Sequence, residues 1–119
     1  MNRELEMAKL ACRALDEKKG KDIKVIDIHE VSVIADYFVI ASASNQNQVQ
    51  AMVDNVDETL GRAGFEAKQI EGTRNSSWVL MDYGDMIVHV FDEENRLFYD
   101  LGRIWRDGKV LDVNEFLEK

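Results

Sequence analysis

Apolar residues recur in the first half of the chain at spacings that predict two helices. In the first segment the intervals of three and four place them on one face of a helix over about residues 2–19. These residues are Leu5, Ala8, Cys12 and Leu15. The second helix has the same spacing, through Val49, Met52, Val53, Val56 and Leu60. Ser44 or Asn45 can cap its start and Gly64 can end it, which predicts a well-defined amphipathic helix.

Three further segments have the composition of strands. They are residues 22–32, 36–43 and 66–72, which read "DIKVIDIHEVS", "DYFVIASA" and "EAKQIEG". The first is rich in β-branched residues, which favour strands. The second is almost continuously apolar from Tyr37 to Ala41, as is typical of a strand covered on both faces. We therefore expect the second strand in the interior of a sheet.

Residues 76–91 predict a β-hairpin, because Gly84 separates two apolar runs in "SSWVLMDYGDMIVHVF". The tip is expected near Tyr83, Gly84 and Asp85. If Tyr83 pairs with Met86, the partners across the hairpin are Trp78 and Phe91, Leu80 and His89, and Asp82 and Ile87. A slip of two residues would set Asp82 against Asp85, and such a like-charge pair is disfavoured. Either register leaves the same side chains on each face.

The alternation of side chains divides this hairpin into two faces. Face one carries Trp78, Leu80, Asp82, Ile87, His89 and Phe91. Face two carries Val79, Met81, Tyr83, Met86, Val88 and Val90. Face two is aliphatic and is predicted to lie against the core. Face one mixes aromatic residues with Asp and His, so it is either a partner-binding patch or a surface that a helix covers, and the pattern leaves both open.

A third long helix is predicted after the hairpin, from a cap at Asp92 to Asp107 and Gly108. Its apolar positions are Leu97, Leu101, Ile104 and Trp105. Arg96 and Tyr99 lie three residues apart on it, so they either frame the aromatic patch or are a solvated Arg beside a core Tyr. A short last helix is expected near Asn114. Together the elements predict one α/β domain over residues 1–119, with a mixed five-stranded sheet flanked by helices.

Composition and charge narrow the function classes. The chain has 15 basic and 23 acidic residues, for a net charge of −8, which argues against dominant direct contact with nucleic acid and fits a basic protein partner. No apolar run is long enough for a membrane span, and the charged first segment is unlike a signal peptide, so we expect a cytoplasmic protein. The single cysteine, Cys12, is expected to be a buried packing residue.

Catalytic chemistry has little support in the sequence. Asp82, Asp85 and His89 make a weak metal site, because Asp85 sits in the turn and the chain has only two histidines. Asp82 on a strand and Asp85 at the tip are not expected to converge on a substrate. Two-metal phosphoryl transfer stays open as a weaker alternative, although no glycine-rich phosphate loop accompanies the carboxylates. We therefore expect no catalytic residues, no metal and no cofactor.

Three segments together resemble the Iojap-related ribosomal silencing factors of bacteria and organelles. They are "ADYFVIASASNQNQVQAMVDNV", "EGTRNSSWVLMDYGDMIVHVF" and "RLFYDLGRIW". The resemblance implies a nucleotidyltransferase-like fold without the catalytic carboxylates, and commonly a homodimer. It further implies a factor that binds the large ribosomal subunit at ribosomal protein L fourteen. Such a factor blocks docking of the small subunit and represses translation under nutrient limitation.

The resemblance also implies a partner surface. It would centre on Trp78, Leu80, Asp82, Tyr83 and Asp85, with His89, Arg96 and Tyr99 adjoining. Strand parity places Tyr83 on the core face instead. Two positions depart from the family pattern: Ala43 replaces a glycine, and Gly102 replaces a glutamate. The rival hypotheses are a nucleotidyltransferase-type enzyme and an interaction module for another basic partner.

Overall fold

A computed structural model describes residues 3–30, 33, 35–72, 78–93 and 109–117. Within these ranges the helices are α1 (Arg3–Glu17), α2 (Gln46–Arg62) and α3 (Val113–Leu117). The strands are β1 (Lys21–Asp27), β2 (Tyr37–Ala43), β3 (Gln69–Glu71), β4 (Trp78–Asp82), β5 (Met86–Asp92) and β6 (Lys109–Leu111). None of the described helices is long and apolar enough to cross a membrane.

The strands form one mixed sheet in the order β3-β4-β5-β2-β1-β6. The two central strands, β2 and β5, pair in parallel, and every other neighbouring pair is antiparallel. The α/β architecture and the interior position of β2 confirm the predictions. All five predicted strands are present. A sixth, β6, pairs with β1 at the sheet edge; its three residues are too few to show a periodic pattern.

Helix α2 begins and ends at the positions that its sequence predicts. The side chain of Asn45 accepts a hydrogen bond from the backbone N–H of Gln48 at 2.8 Å. This satisfies one of the free donors in the first turn. At the other end Ala63 is the C-cap residue. Gly64 follows it with a φ of +91°, a backbone conformation that favours glycine.

Side chains of α2 also bond to carbonyl groups at and just after the end of α1. Gln48 Nε2 donates hydrogen bonds to the carbonyl oxygens of Lys18 and Lys19, at 2.9 and 3.0 Å. Asn55 Nδ2 donates to the carbonyl oxygen of Ala14 at 2.8 Å. The last carbonyl groups of a helix have no partner within that helix, so these bonds fix the end of α1 against α2.

The hairpin faces continue across the whole sheet, and both names are used for the sheet from here on. Face two lies under the helices. Side chains of α1, α2 and α3 pack on it in one apolar cluster that includes Leu15, Leu60 and Phe116. Cys12 belongs to this cluster and is 0% exposed, which confirms the predicted packing role. Burial raises the pKa of its thiol to about 12, so the reactive thiolate is scarce at neutral pH.

The hairpin has the predicted register. Trp78 pairs with Phe91, Leu80 with His89, and Asp82 with Ile87. At the tip the backbone N–H of Tyr83 donates to the carbonyl oxygen of Met86 at 2.9 Å. Gly84 turns the chain with a φ of +90°, a conformation that other residues rarely adopt.

The predicted helix from Asp92 to Gly108 falls largely outside the described residues. Asp92 itself is the last residue of β5. The predicted last helix is present as α3. Asp112 Oδ1 accepts a hydrogen bond from the backbone N–H of Asn114 at 3.0 Å, in the first turn of that helix.

Candidate functional site

Face one of the sheet has a different composition from face two. Its apolar cluster consists of sheet and loop residues, and no residue of the described helices belongs to it. The cluster contains Ile26, Ile28, Ala35, Phe38, Ile40, Ile87 and Phe91, with Trp78 and Leu80 packed against it. Hairpin strands β4 and β5 bring the predicted aromatic residues together on this face, as their register requires.

Four rings form the centre of face one. The planes of Trp78 and Phe91 are nearly parallel, at 16°, with centroids 5.6 Å apart. His89 lies beside both, with its centroid 6.0 Å from that of Trp78 and 6.2 Å from that of Phe91. Phe38 of β2 adds a tilted contact at 5.1 Å from His89. These rings, hereafter the aromatic cluster, hold one another in fixed orientations.

Exposure falls across the aromatic cluster from β4 to β5. Phe91 is 0% exposed and His89 is 3% exposed. On β4, by contrast, Trp78, Leu80 and Asp82 are each partly exposed, and they alternate with buried residues. These three side chains, hereafter the β4 strip, are the part of the hairpin's face one that solvent reaches. The structure thus divides the predicted patch into a buried support and an accessible strip.

A hydrogen bond joins the accessible strip to its support. Trp78 Nε1 donates to His89 Nδ1 at 3.2 Å. Burial lowers the pKa of His89 to about 4, so the imidazole is neutral at pH 7. A neutral imidazole can accept a hydrogen bond at Nδ1, which agrees with the observed contact.

The two aspartates of the hairpin have different roles. Asp82 Oδ1 accepts a hydrogen bond from the backbone N–H of Gly84 at 2.7 Å, so this carboxylate helps to build the turn. Asp85 is exposed at the tip, and its backbone carbonyl accepts from the N–H groups of Asp36 and Tyr37 at 2.8 and 3.1 Å. The tip is therefore bonded to the start of β2. Asp85 presents its carboxylate to solvent.

Tyr83 lies in the core under the helices, as strand parity predicts. It is 6% exposed and belongs to the face-two cluster. Its hydroxyl is buried without a hydrogen-bond partner among the described residues. Burial, together with the negative charge of Asp57, raises the pKa of this phenol far above its ordinary value. Of the other predicted site residues, Arg96 and Tyr99 lie outside the described part of the chain.

Two residues beside the hairpin were not predicted as part of the site from the sequence. Phe38 joins the aromatic cluster because β2 pairs in parallel with β5, a neighbour relation that crosses 40 or more residues of chain. Lys68 lies over the turn: a Cβ added at Gly84 would come within 2.9 Å of its Nζ. Its proximity could have been anticipated only from the pairing of β3 with β4, since local spacing carries no such signal.

The side chains of the β4 strip have the composition of a binding surface. Across the described residues, no three His, Cys, Asp or Glu side chains come together in a group that could hold a metal ion. The β4 strip instead offers apolar ring surface, an aliphatic side chain and a carboxylate in a row. Such a combination of an aromatic anchor with polar neighbours is common at protein interfaces.

Comparison with known proteins agrees with the resemblance in the sequence. The whole chain, residues 1–119, matches the family model described as ribosomal silencing factor during starvation, RsfS. The ribosomal silencing factor RsfS of Bacillus subtilis is 36% identical over 89% of this chain and 90% of its own length. The chloroplast protein Iojap of Zea mays is 27% identical over 92% of this chain and 47% of its own length.

A solved structure extends the likeness from sequence to fold. The crystal structure of a Chromobacterium violaceum protein superimposes with a TM-score of 0.81 at 35% identity. The match covers 85% of this chain and 84% of that one. With the family model matching every residue, this chain belongs to the ribosomal silencing factor family.

Proposed function

We propose that this protein binds the large ribosomal subunit through ribosomal protein L fourteen and blocks docking of the small subunit. Translation is thereby repressed when nutrients are limiting. Membership of the ribosomal silencing factor family supports the ribosomal target. The structural observation that carries the proposal is the β4 strip, a partly exposed row of side chains on a rigid aromatic support.

Rigidity of the strip favours tight binding. A partner that covers Trp78 removes a large apolar ring from water, and aromatic anchors of this kind often contribute about 2 kcal/mol or more to an interface. The ring is already ordered by Phe91 and His89, so little side-chain entropy is lost on binding. Leu80, next along the same face of β4, extends the apolar contact.

Charge supports a basic partner. The chain carries a net charge of −8, and Asp82 and Asp85 place two carboxylates at the hairpin end of the strip. Carboxylates accept charge-assisted hydrogen bonds from Arg and Lys. Opposite charge on the two partners also speeds their encounter, most strongly at low salt.

The proposed contact residues divide by burial. Trp78, Leu80, Asp82 and Asp85 touch the partner directly, because their side chains reach solvent. Tyr83 and His89 support them from within the fold. Arg96 and Tyr99 complete the proposed surface on sequence grounds. We further propose that the protein acts in the cytoplasm as a homodimer, by occupying space rather than by catalysis.

Light scattering of mixed ribosomal subunits tests this function. Purified large subunits are incubated with the protein before small subunits are added, and the rise in scattering reports their association. We expect the wild-type protein to suppress the rise and Trp78→Ala to relieve the suppression. Ile70→Ala is the matched control, because Ile70 is an exposed apolar residue on the opposite face of the sheet.

Normal association at saturating wild-type protein would contradict the proposal. The same preparations can be tested for transfer or binding of nucleotides, which an enzyme of nucleotidyltransferase type would show. Crosslinking to ribosomal protein L fourteen separates this target from other sites on the subunit. Suppression without such a crosslink would retain the function and reject the named contact.

A further inference from the structure

The indole N–H of Trp78 is already used inside the protein. It donates to Nδ1 of His89 at 3.2 Å. The indole ring has no second hydrogen-bond donor. While this bond is made, Trp78 can offer a partner its ring carbons and its π face, and its N–H stays with His89.

His89 is a fixed acceptor. It is 3% exposed and lies in the ladder between Leu80 of β4 and Ile40 of β2. Phe38 and Phe91 contact its ring at centroid distances of 5.1 and 6.2 Å. A ring enclosed in this way has little freedom to turn, so the direction of its Nδ1 lone pair is set by the sheet.

Phe91 and His89 constrain different properties of the indole. Phe91 lies directly opposite Trp78 in the ladder, and the near-parallel planes limit the tilt of the ring. Stacking alone would still allow the indole to rotate by half a turn about its Cβ–Cγ bond, which keeps the ring plane and exchanges its two edges. The hydrogen bond removes that freedom, because only one orientation brings Nε1 to His89.

We propose that His89 is a positioning residue: by accepting the indole N–H of Trp78 it selects which edge of the ring faces a partner. The partner pocket that receives Trp78 is therefore apolar and contains no acceptor for the indole N–H. This inference rests on the proposed function in one respect, that the β4 strip is the contact surface. The internal geometry of the free protein can be tested without that assumption.

Hydrogen exchange of the indole N–H tests the geometry in the free protein. The chain has two tryptophans, so Trp105→Phe identifies the NMR signal of Trp78. We expect the Trp78 indole N–H to exchange slowly in the wild type and at least about tenfold faster in His89→Leu, which removes the acceptor. His89→Asn places a shorter side chain with an acceptor oxygen at the same position and should restore part of the protection.

His29→Asn is the matched control, since it removes the chain's other histidine at an exposed site after β1. It should leave the Trp78 signal unchanged. Rapid exchange of the indole N–H in the wild type would overturn the proposal. Unchanged exchange in a folded His89→Leu would overturn it as well. If His89→Leu does not fold, the wild-type rate and the effect of His89→Asn decide the matter.

Affinity for purified large ribosomal subunits tests the consequence for binding. We expect His89→Leu to bind about tenfold more weakly and His89→Asn to recover most of that loss. Trp78→Phe keeps an aromatic ring without the N–H and should bind more tightly than Trp78→Ala. Equal losses for these two variants would show that a partner needs the N–H itself, and would overturn the apolar-pocket inference.

The two proposals fail in distinguishable ways. A slowly exchanging indole N–H with no binding of wild-type protein to large subunits would retain the internal geometry and reject the proposed function. The other outcome is a folded His89→Leu variant whose indole N–H exchanges rapidly but which binds large subunits as tightly as the wild type does. That result would retain the proposed function and reject the positioning role.

Discussion

The two faces of the sheet are built from the same strands but serve different ends. Face two is mostly aliphatic and is covered by α1, α2 and α3. Face one concentrates aromatic rings, and exposure on it rises from buried Phe91 to the partly exposed side chains of β4. Face two therefore stabilises the fold, whereas part of face one stays accessible to solvent.

Polar side chains also have different hydrogen-bond partners on the two sides of the sheet. Between α1 and α2, Gln48 and Asn55 bond to carbonyl groups at and just after the end of α1 and so complete the secondary structure. On face one, His89 bonds to a side chain that solvent reaches. A polar group that satisfies the backbone supports the fold. In our proposal, one that orients an exposed ring prepares a binding surface.

Equivalent truncations on the two faces should differ most in stability. Leu60 is fully buried, so Leu60→Ala should lower the free energy of unfolding by about 3 kcal/mol through lost burial and a cavity. Leu80 is partly exposed, so Leu80→Ala should lower it by about 1 kcal/mol. Urea unfolding at pH 7 measures both. Equal losses would assign the β4 strip to the core.

Trp78→Ala should have its larger effect on binding. We expect the affinity for the large subunit to fall by about 2 kcal/mol or more, because the aromatic anchor is lost. Titration of labelled subunits measures the change, and circular dichroism verifies that the variant is folded. Ile70→Ala, on the opposite face, should bind as the wild type does. Unchanged affinity in folded Trp78→Ala would move the interface elsewhere.

Mild acid should lower the free energy of unfolding through the buried imidazole of His89 on face one. Burial lowers the pKa of His89 from an ordinary 6.5 to about 4, so between these values the unfolded chain binds a proton that the folded chain does not. This contribution to stability is present in full above pH 6.5 and is lost as the pH falls toward 4. We expect a loss of about 2 kcal/mol between pH 7 and pH 5.

Urea unfolding across that range measures the loss, and His89→Asn should flatten it. His29 acts in the opposite direction, because its hydrogen bond and proximity to Asp27 raise its pKa. His29→Asn should therefore make the acid loss slightly steeper. A wild-type curve that does not change from pH 7 to pH 5 would contradict the buried, neutral state of His89.

The smallest expected effect concerns Tyr83. Its hydroxyl is buried and lacks a hydrogen-bond partner among the described residues, so Tyr83→Phe should stabilise the fold by up to about 1 kcal/mol. Affinity for the large subunit should not change, because Tyr83 is 6% exposed and lies on face two. Weaker binding of Tyr83→Phe would show that the tyrosine turns outward in the complex.

Much of the fold follows from short-range patterns. The cap of α2 at Asn45, its end at Gly64 and the hairpin turn at Gly84 each depend on the local chemistry of a few residues. Hairpin register follows from the same logic, since the turn fixes the pairing and a two-residue slip would oppose two aspartates. The short edge strand β6 escaped prediction because its three residues gain their structure from β1.

The sequence predicted which hairpin residues share the candidate site, but not how far each of them is buried. Alternation along β4 and β5 assigns Trp78, Leu80 and His89 to one face. It does not say that His89 is buried while Trp78 is accessible, because burial depends on neighbouring strands. Phe38 comes from β2 and encloses His89 only after the parallel pairing of β2 with β5 has formed.

The sequence by itself determined the described helices, five of the six described strands, the two faces of the hairpin and the family, because these depend on residue type and spacing. Tertiary structure alone decided that His89 accepts the indole N–H of Trp78 and that the buried hydroxyl of Tyr83 has no hydrogen-bond partner among the described residues. Hydrogen-bond geometry and burial depend on groups that lie far apart in the chain, so they are defined only once the sheet and its helices have assembled.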